Sequence, residues 1–210
     1  GYGLAVVPML YLLTDAFAKK LCAFAQNGGT VIVTYWSGVV DESDLCRLGD
    51  TPYGLTELLG LRRTEIDGMY DGETRRCMPA AGCTLPAAQA STLCEVAALD
   101  EKDPAEPLSL YDEDYFAGHP AAAVHRYGKG RAYYLASRFD EAFYRAFYHD
   151  AAKEIGLSPA WPEALPEGVL AVRRGSFVFV QNCTEQPATV GNTVLDRYRT
   201  AVWKDMDRIF

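Results

Sequence analysis

The feature that most constrains this chain is a strand–helix–strand pattern at its start. Gly3 to Met9 is a short, unbroken apolar run with adjacent valines, the pattern of a buried strand. Thr14 stands where a helix N-cap is wanted, Asp15 suits the first turn, and Phe17, Leu21 and Phe24 recur at helical spacing. Asn27-Gly28-Gly29 supplies a left-handed stop, and Thr30 to Thr34 (TVIVT) predicts a second buried strand. Elements in this order default to a right-handed parallel crossover, which commits the fold to the α/β class.

Further along, a short helix is predicted around Leu55 to Leu59, ended by Gly60, with a strand over Leu61 to Ile66. Residues 67–92 show poor periodicity. Residues 93–118 are mixed and carry the acidic cluster Asp112-Glu113-Asp114. Ala121 to Tyr127, Gly128-Lys129-Gly130 and Arg131 to Ala136 read as strand, tight turn and strand. Phe139 to Ile155 predicts an amphipathic helix with Phe143, Phe147, Ala151 and Ile155 on one stripe. Pro159, Pro162 and Pro166 mark a linker. Beyond it, Val169 to Val172 and Phe177 to Val180 form a predicted hairpin, with further strands at Thr189 to Leu195 and Thr200 to Trp203. The expected organisation is an α/β domain over 1–156, a Pro-rich linker over 157–167 and a small antiparallel all-β domain over 168–210.

Composition narrows the function. With 28 acidic and 20 basic residues the net charge is −8. No cationic footprint for nucleic acid is present, and an anionic membrane surface is disfavoured for the same reason. The longest apolar run, Leu4 to Leu13, contains Pro8 and is about half the length needed to span a bilayer. The chain opens on Gly1 without a Met or a basic leader, which predicts an excised or truncated piece with no signal peptide. The cysteines at 22, 46, 77, 83, 94 and 183 form no Cys-x-x-Cys pair, so no metal site and no cofactor is expected. Free thiols in a reducing, cytoplasmic setting are the expectation.

The run from Gly1 to Leu61 resembles the central domain of glycoside hydrolase family 42 β-galactosidases. The resemblance rests on the Gly-Tyr-x-Leu-x-Val-x-Pro-x-Leu-Tyr opening at Gly1 to Tyr11 and on Gly28-Gly29-Thr30. It rests most specifically on Tyr35-Trp36-Ser37-Gly38 with Asp41-Glu42-x-Asp44, and then on Leu58-Leu59-Gly60. The hairpin region from Gly168 looks like that family's small C-terminal β domain. The resemblance implies a flavodoxin-like parallel sheet, similar to class I glutamine amidotransferases, that serves as a trimerisation domain. It also implies a preceding catalytic (β/α)₈ barrel. Such a barrel needs about 250 residues of its own, so it does not fit within this chain. The family's acid and nucleophile are barrel glutamates, to which no residue here corresponds. The implied partners are further copies in a homotrimer and the barrel of the same or a neighbouring chain, with a β-galactoside reached only through the parent. The family's first strand of this domain should precede Gly1, leaving Gly3 to Met9 with an unpaired edge.

Other chemistry fits less well. An amidotransferase needs a Cys nucleophile on a strand-to-helix elbow, yet no Gly-x-Cys-x-Gly is present, and His119, His125 and His149 are tied to no Cys. Ser37 lacks the Gly-x-Ser-x-Gly frame. Asp41, Glu42 and Asp44 are adjacent acids on one loop, whereas glycosidase carboxylates face each other across a sugar. Gly128-Lys129-Gly130 has strand-like flanks, so it reads as a hairpin turn and not a phosphate cradle. No residue is assigned a catalytic role. The loop residues Tyr35, Trp36, Ser37, Asp41, Glu42 and Asp44 are the interface candidates, as aromatics within a polar rim. A stand-alone carbohydrate-binding or regulatory module and a diverged amidotransferase-like enzyme are the alternatives.

Overall fold

The computed structural model describes residues 2–204. Gly1 of the Gly-Tyr opening and residues 205–210 of the expected β domain lie outside the described residues. The chain forms two compact units, Gly1–Ile155 and Gly156–Phe210.

The first unit contains β1 (Leu4–Val7), α1 (Asp15–Gln26), β2 (Thr30–Thr34), α2 (Thr56–Leu59), β3 (Leu61–Gly68) and β4 (Arg75–Pro79). It continues with β5 (Ala88–Leu99), β6 (Glu106–Tyr111), β7 (Pro120–Tyr127), β8 (Gly130–Leu135), β9 (Ser137–Phe139) and α3 (Glu141–Glu154). The strands form one nine-stranded sheet in the order β1-β2-β8-β7-β6-β4-β5-β3, with β9 on β5. Only β1, β2 and β8 run parallel to one another, and every other pairing is antiparallel. The expected parallel sheet is therefore a mixed one. Strands β7 and β8 are joined by the tight turn at Gly128, a connection open only to antiparallel neighbours. No helix interrupts the run from β3 to β8 to make parallel crossovers.

Both faces of the central strands are covered. Val31 and Val33 of β2 point to a core shared with Ala18, Leu21 and Leu58, while Ile32 points to the opposite core with Phe143 and Phe147. That alternation explains why TVIVT is apolar throughout. Thr14 caps α1, its side chain accepting from Phe17 N–H, and Asp140 caps α3 through Phe143 N–H. The buried stripe of α1 is Ala18, Leu21 and Ala25, one residue round from the expected one, and Phe17 is exposed. Small residues let the helix lie close on the sheet. Strand β1 is also less buried than its apolar run suggested, because it lies at the sheet edge with only Val7 buried.

The second unit contains β10 (Val169–Arg174), β11 (Phe177–Asn182), β12 (Ala188–Val190), β13 (Thr193–Leu195) and β14 (Thr200–Lys204). They form a three-stranded antiparallel sheet, β10-β11-β14, and a separate hairpin, β12-β13. Val178 and Val180 alternate into a small core with Trp161, Val190 and Leu195. Trp161 meets Trp203 edge-on, with ring centroids 5.1 Å apart. Asn182 is fully buried, and its amide donates to the carbonyls of Gln186, Leu195 and Asp196. One side chain thereby replaces the ladder bonds that this turn region cannot make.

Candidate functional site

The loop that follows β2 begins as a continuation of the sheet. Tyr35 N–H donates to Leu135 O at 2.7 Å, and Tyr35 is buried. The chain then turns abruptly, with Trp36 at φ 59° and Gly38 at φ 62°. A left-handed conformation costs a residue with a Cβ about 1–2 kcal/mol, so Trp36 must be held there by its surroundings. Its N–H donates to Glu95 Oε1 at 3.0 Å. Gly38 has no alternative, because a Cβ there would stand 2.8 Å from Tyr53 N.

Beneath the turn lies a buried polar cluster. Glu95 of β5 is fully buried, and its Oε1 also accepts from Arg63 Nη1 of β3 at 2.6 Å. Tyr134 of β8 donates its hydroxyl to Glu95 Oε2. Burial, and then the Glu95 charge, push the Tyr134 phenol well above its ordinary value, which keeps it a donor. Arg63 also donates to Ser37 O at 3.4 Å, so one guanidinium links the carboxylate to the loop backbone. Ser37 is fully buried, and its hydroxyl accepts from Leu10 N–H at 3.0 Å.

Above the turn, Trp36 is half-buried and its ring lies nearly parallel to that of Tyr11, with centroids 6.2 Å apart and planes 14° apart. Val39 N–H and Val40 N–H both donate to Tyr11 O, which ties the two segments together. Partial desolvation, and then the Asp44 carboxylate, raise the Tyr11 phenol. The aromatic pair and the acids thus share one surface.

The three acids have separate local duties. Asp41 Oδ1 accepts from Ser43 N–H at 2.8 Å and Leu45 N–H at 3.1 Å, and these bonds hold its carboxyl below the ordinary value. Glu42 lies 3.7 Å from Arg47 Nη2, which also pairs with Asp15 at 2.9 Å. Asp44 is exposed at φ 61°. The structure therefore brings Tyr35, Trp36 and Ser37 together over Glu95 and turns Asp41, Glu42 and Asp44 into a structured rim.

Sequence reasoning missed Tyr11, Arg63 and Glu95. The available signal was a lone carboxylate in the apolar run Leu93-Cys94-Glu95-Val96-Ala97, a residue that is almost never buried unpaired. Among the described residues, no group of three His, Cys, Asp or Glu is arranged to hold a metal ion. No helix among them is long and apolar enough to cross a membrane.

By fold, this is a mixed-sheet α/β domain followed by a small antiparallel β unit. A family model described as the β-galactosidase trimerisation domain matches residues 1–158. The chain belongs to that family. It is 44% identical over 197 residues to the β-galactosidase BglY of Alicyclobacillus acidocaldarius, covering 90% of this chain and 28% of the relative. Against the β-galactosidase Pbg of Clostridium perfringens it is 35% identical, covering 93% of this chain and 29% of that protein. The crystal structure of a β-galactosidase from Rahnella sp. R3 superposes with a TM-score of 0.84 at 36% identity, covering 96% of this chain and 32% of that one. This chain therefore spans under a third of the length of these relatives.

Proposed function

We propose that this chain is the trimerisation and C-terminal region of a cytoplasmic β-galactosidase that cleaves terminal β-D-galactosides, and that it holds three copies of the parent together. The two catalytic carboxylates of such a retaining enzyme would lie in a barrel outside this sequence, as acid/base and nucleophile. In this reading residues 1–156 form the trimerisation domain, 157–167 a linker and 168–210 the C-terminal β domain. The parallel β1-α1-β2 unit with β8 is the part that carries a flavodoxin-like, amidotransferase-like ancestry. The loop from Tyr35 to Asp44 is the contact surface.

One observation carries the interface role: Trp36 adopts a left-handed conformation with its N–H on the fully buried carboxylate of Glu95, and its ring is displayed beside Tyr11. Such strain persists only where the surroundings over-determine it, and a rigid aromatic within a polar rim is the form of an interface anchor. Truncating such an anchor costs about 2 kcal/mol or more of association. Trp36→Ala in the parent should lower trimer content in ultracentrifugation at low concentration, and high concentration should restore both assembly and activity. A variant that stays trimeric while kcat/KM falls at every concentration would place Trp36 at the substrate instead. The 210-residue chain alone should not hydrolyse a β-galactoside.

A further inference from the structure

We infer that the outward face of the β10-β11-β14 sheet docks on a domain of the parent enzyme that lies outside this sequence, through an apolar surface of that domain edged with carboxylates. This rests on the reading of the chain as one part of a longer protein, and goes beyond it in naming the face that meets the remainder.

Strand register lays the face out in rows. Val172 of β10 pairs with Phe179 of β11, and Phe179 pairs with Val202 of β14. Leu170, Gln181 and Thr200 form the row on one side, and Arg174, Phe177 and Lys204 the row on the other. Directly paired residues share a face, as do alternate residues along a strand. The intervening residues Val178, Val180 and Trp203 pack the opposite face into the core around Trp161. An antiparallel sheet with one solvated face reads apolar inside and polar outside. Here both faces are apolar. All nine outward residues are exposed, and the large apolar ones among them, Leu170, Val172, Phe177, Phe179 and Val202, are 38–59% exposed. A contiguous apolar patch of this kind marks an interaction surface.

Charge and size select the occupant. Arg174 and Lys204 flank Phe177, with the Lys204 ammonium 5.9 Å from the centre of its ring, and neither makes an ion pair among the described residues. Carboxylates opposite this row would satisfy both cations. A second copy laid face to face brings none, because the nine outward residues include no acid. Nor can so small a face hold free molecules together: nine residues fall well short of the roughly 20–30 a side of a stable interface. A tethered domain needs less area, because its linkage keeps the effective concentration high. A parent of its relatives' length has most of its chain outside this sequence, and that chain supplies the tethered surface.

The test is hydroxyl-radical footprinting, read by mass spectrometry, of the 210-residue chain and of the parent. Phe177 and Phe179 should be oxidised readily in the chain and protected in the parent, at high concentration and equally after dilution. Trp161, 8% exposed, should be protected in both and reports that the unit is folded. In the parent, Val202→Asp and Arg174→Glu, both changes at solvent-facing positions of this unit, should each raise oxidation of the two phenylalanines toward its level in the isolated chain. Equal oxidation in chain and parent would overturn the proposal. Protection lost when the parent is diluted to monomers would make the occupant a second copy, which overturns it too. Protection that survives Arg174→Glu would refute the acidic complement. A coding sequence with nothing beyond these residues would sink the proposed function along with this one, whereas a parent that is an active trimer with both phenylalanines open would sink this one alone.

Discussion

Arg63 Nη1 stands 2.6 Å from Glu95 Oε1, the two side chains 5% and 0% exposed, and the same carboxylate oxygen accepts from Trp36 N–H. The strand pairing β3–β5 therefore reaches the loop after β2 through this ion pair, Glu95 accepting from Trp36 N–H and Arg63 donating to Ser37 O. A buried pair of this kind adds little net stability, because desolvation offsets the attraction, but breaking it leaves an uncompensated charge. Arg63→Met should cost about 3–5 kcal/mol in denaturant unfolding. The double change Arg63→Met with Glu95→Leu should recover most of that loss. It should not recover the loop, because Trp36 N–H and the Tyr134 hydroxyl lose their acceptor. Trp36 fluorescence should reveal a loosened loop in a variant that is otherwise folded. A double variant no more stable than Arg63→Met would contradict this account.

The cysteines separate by burial. All six are free; Cys46 and Cys183 are exposed, while Cys77 and Cys94 are buried. Burial pushes the Cys77 thiol from its ordinary 9.0 to about 12 and that of Cys94 to about 11. A thiol-specific reagent near pH 8 should label Cys46 and Cys183 first and reach Cys77 and Cys94 only on unfolding. The same shifts have a signed consequence for stability. In the unfolded chain these thiols ionise near pH 9, while in the folded chain they stay protonated. The stability they contribute is complete below pH 9 and falls as pH rises toward 11–12. Thermal scans across that window, compared with Cys77→Ala and Cys94→Ala, should show a shallower alkaline loss in the variants.

The edge of the sheet is a further liability. Strand β1 pairs with β2 on one side and has no second strand partner among the described residues, and Val6 is 42% exposed. Its free N–H and C=O groups invite another chain. The 210-residue chain should self-associate with rising concentration in light scattering, and Val6→Lys should suppress that association. A monodisperse monomer at high concentration, with or without the change, would count against it.

Much of this architecture was legible from local chemistry. Thr14, TVIVT, Gly60 and the Gly128 turn each act through the few residues around them, so their signals survive in sequence. The resemblance carried by Tyr35 to Gly38 likewise led to the correct family. What stayed hidden is what long-range pairing decides. Residues 67–118 have no clean period, yet β4, β5 and β6 form there, with shifts of register inside β5 and β6 that break alternation. Sequence also could not foretell that Arg63, Glu95 and Tyr134, on three separate strands, would meet beneath Trp36. Nor could it foretell that Tyr11 would stack on that ring.

The left-handed turn at Trp36 allows its backbone and its ring to be tested separately. At φ 59° an Ala carries the same conformational penalty as the native residue, whereas a Gly carries almost none. Trp36→Ala and Trp36→Gly both delete the ring and its contact with Tyr11, and both keep the N–H that bonds Glu95. Glycine's greater entropy in the unfolded chain offsets part of its relief, by about 0.5–1 kcal/mol. The net expectation is a Trp36→Gly chain up to about 1 kcal/mol more stable to denaturant than Trp36→Ala. If the ring is the interface anchor, the two variants of the parent should nonetheless lose trimer equally, because association depends on what each displays and neither displays an aromatic. Matched dissociation constants with unmatched unfolding midpoints would assign the strain to the loop backbone and the assembly to the ring. If Trp36→Gly dissociates far more than Trp36→Ala, rigidity of the loop, and not the indole, is what the partner reads.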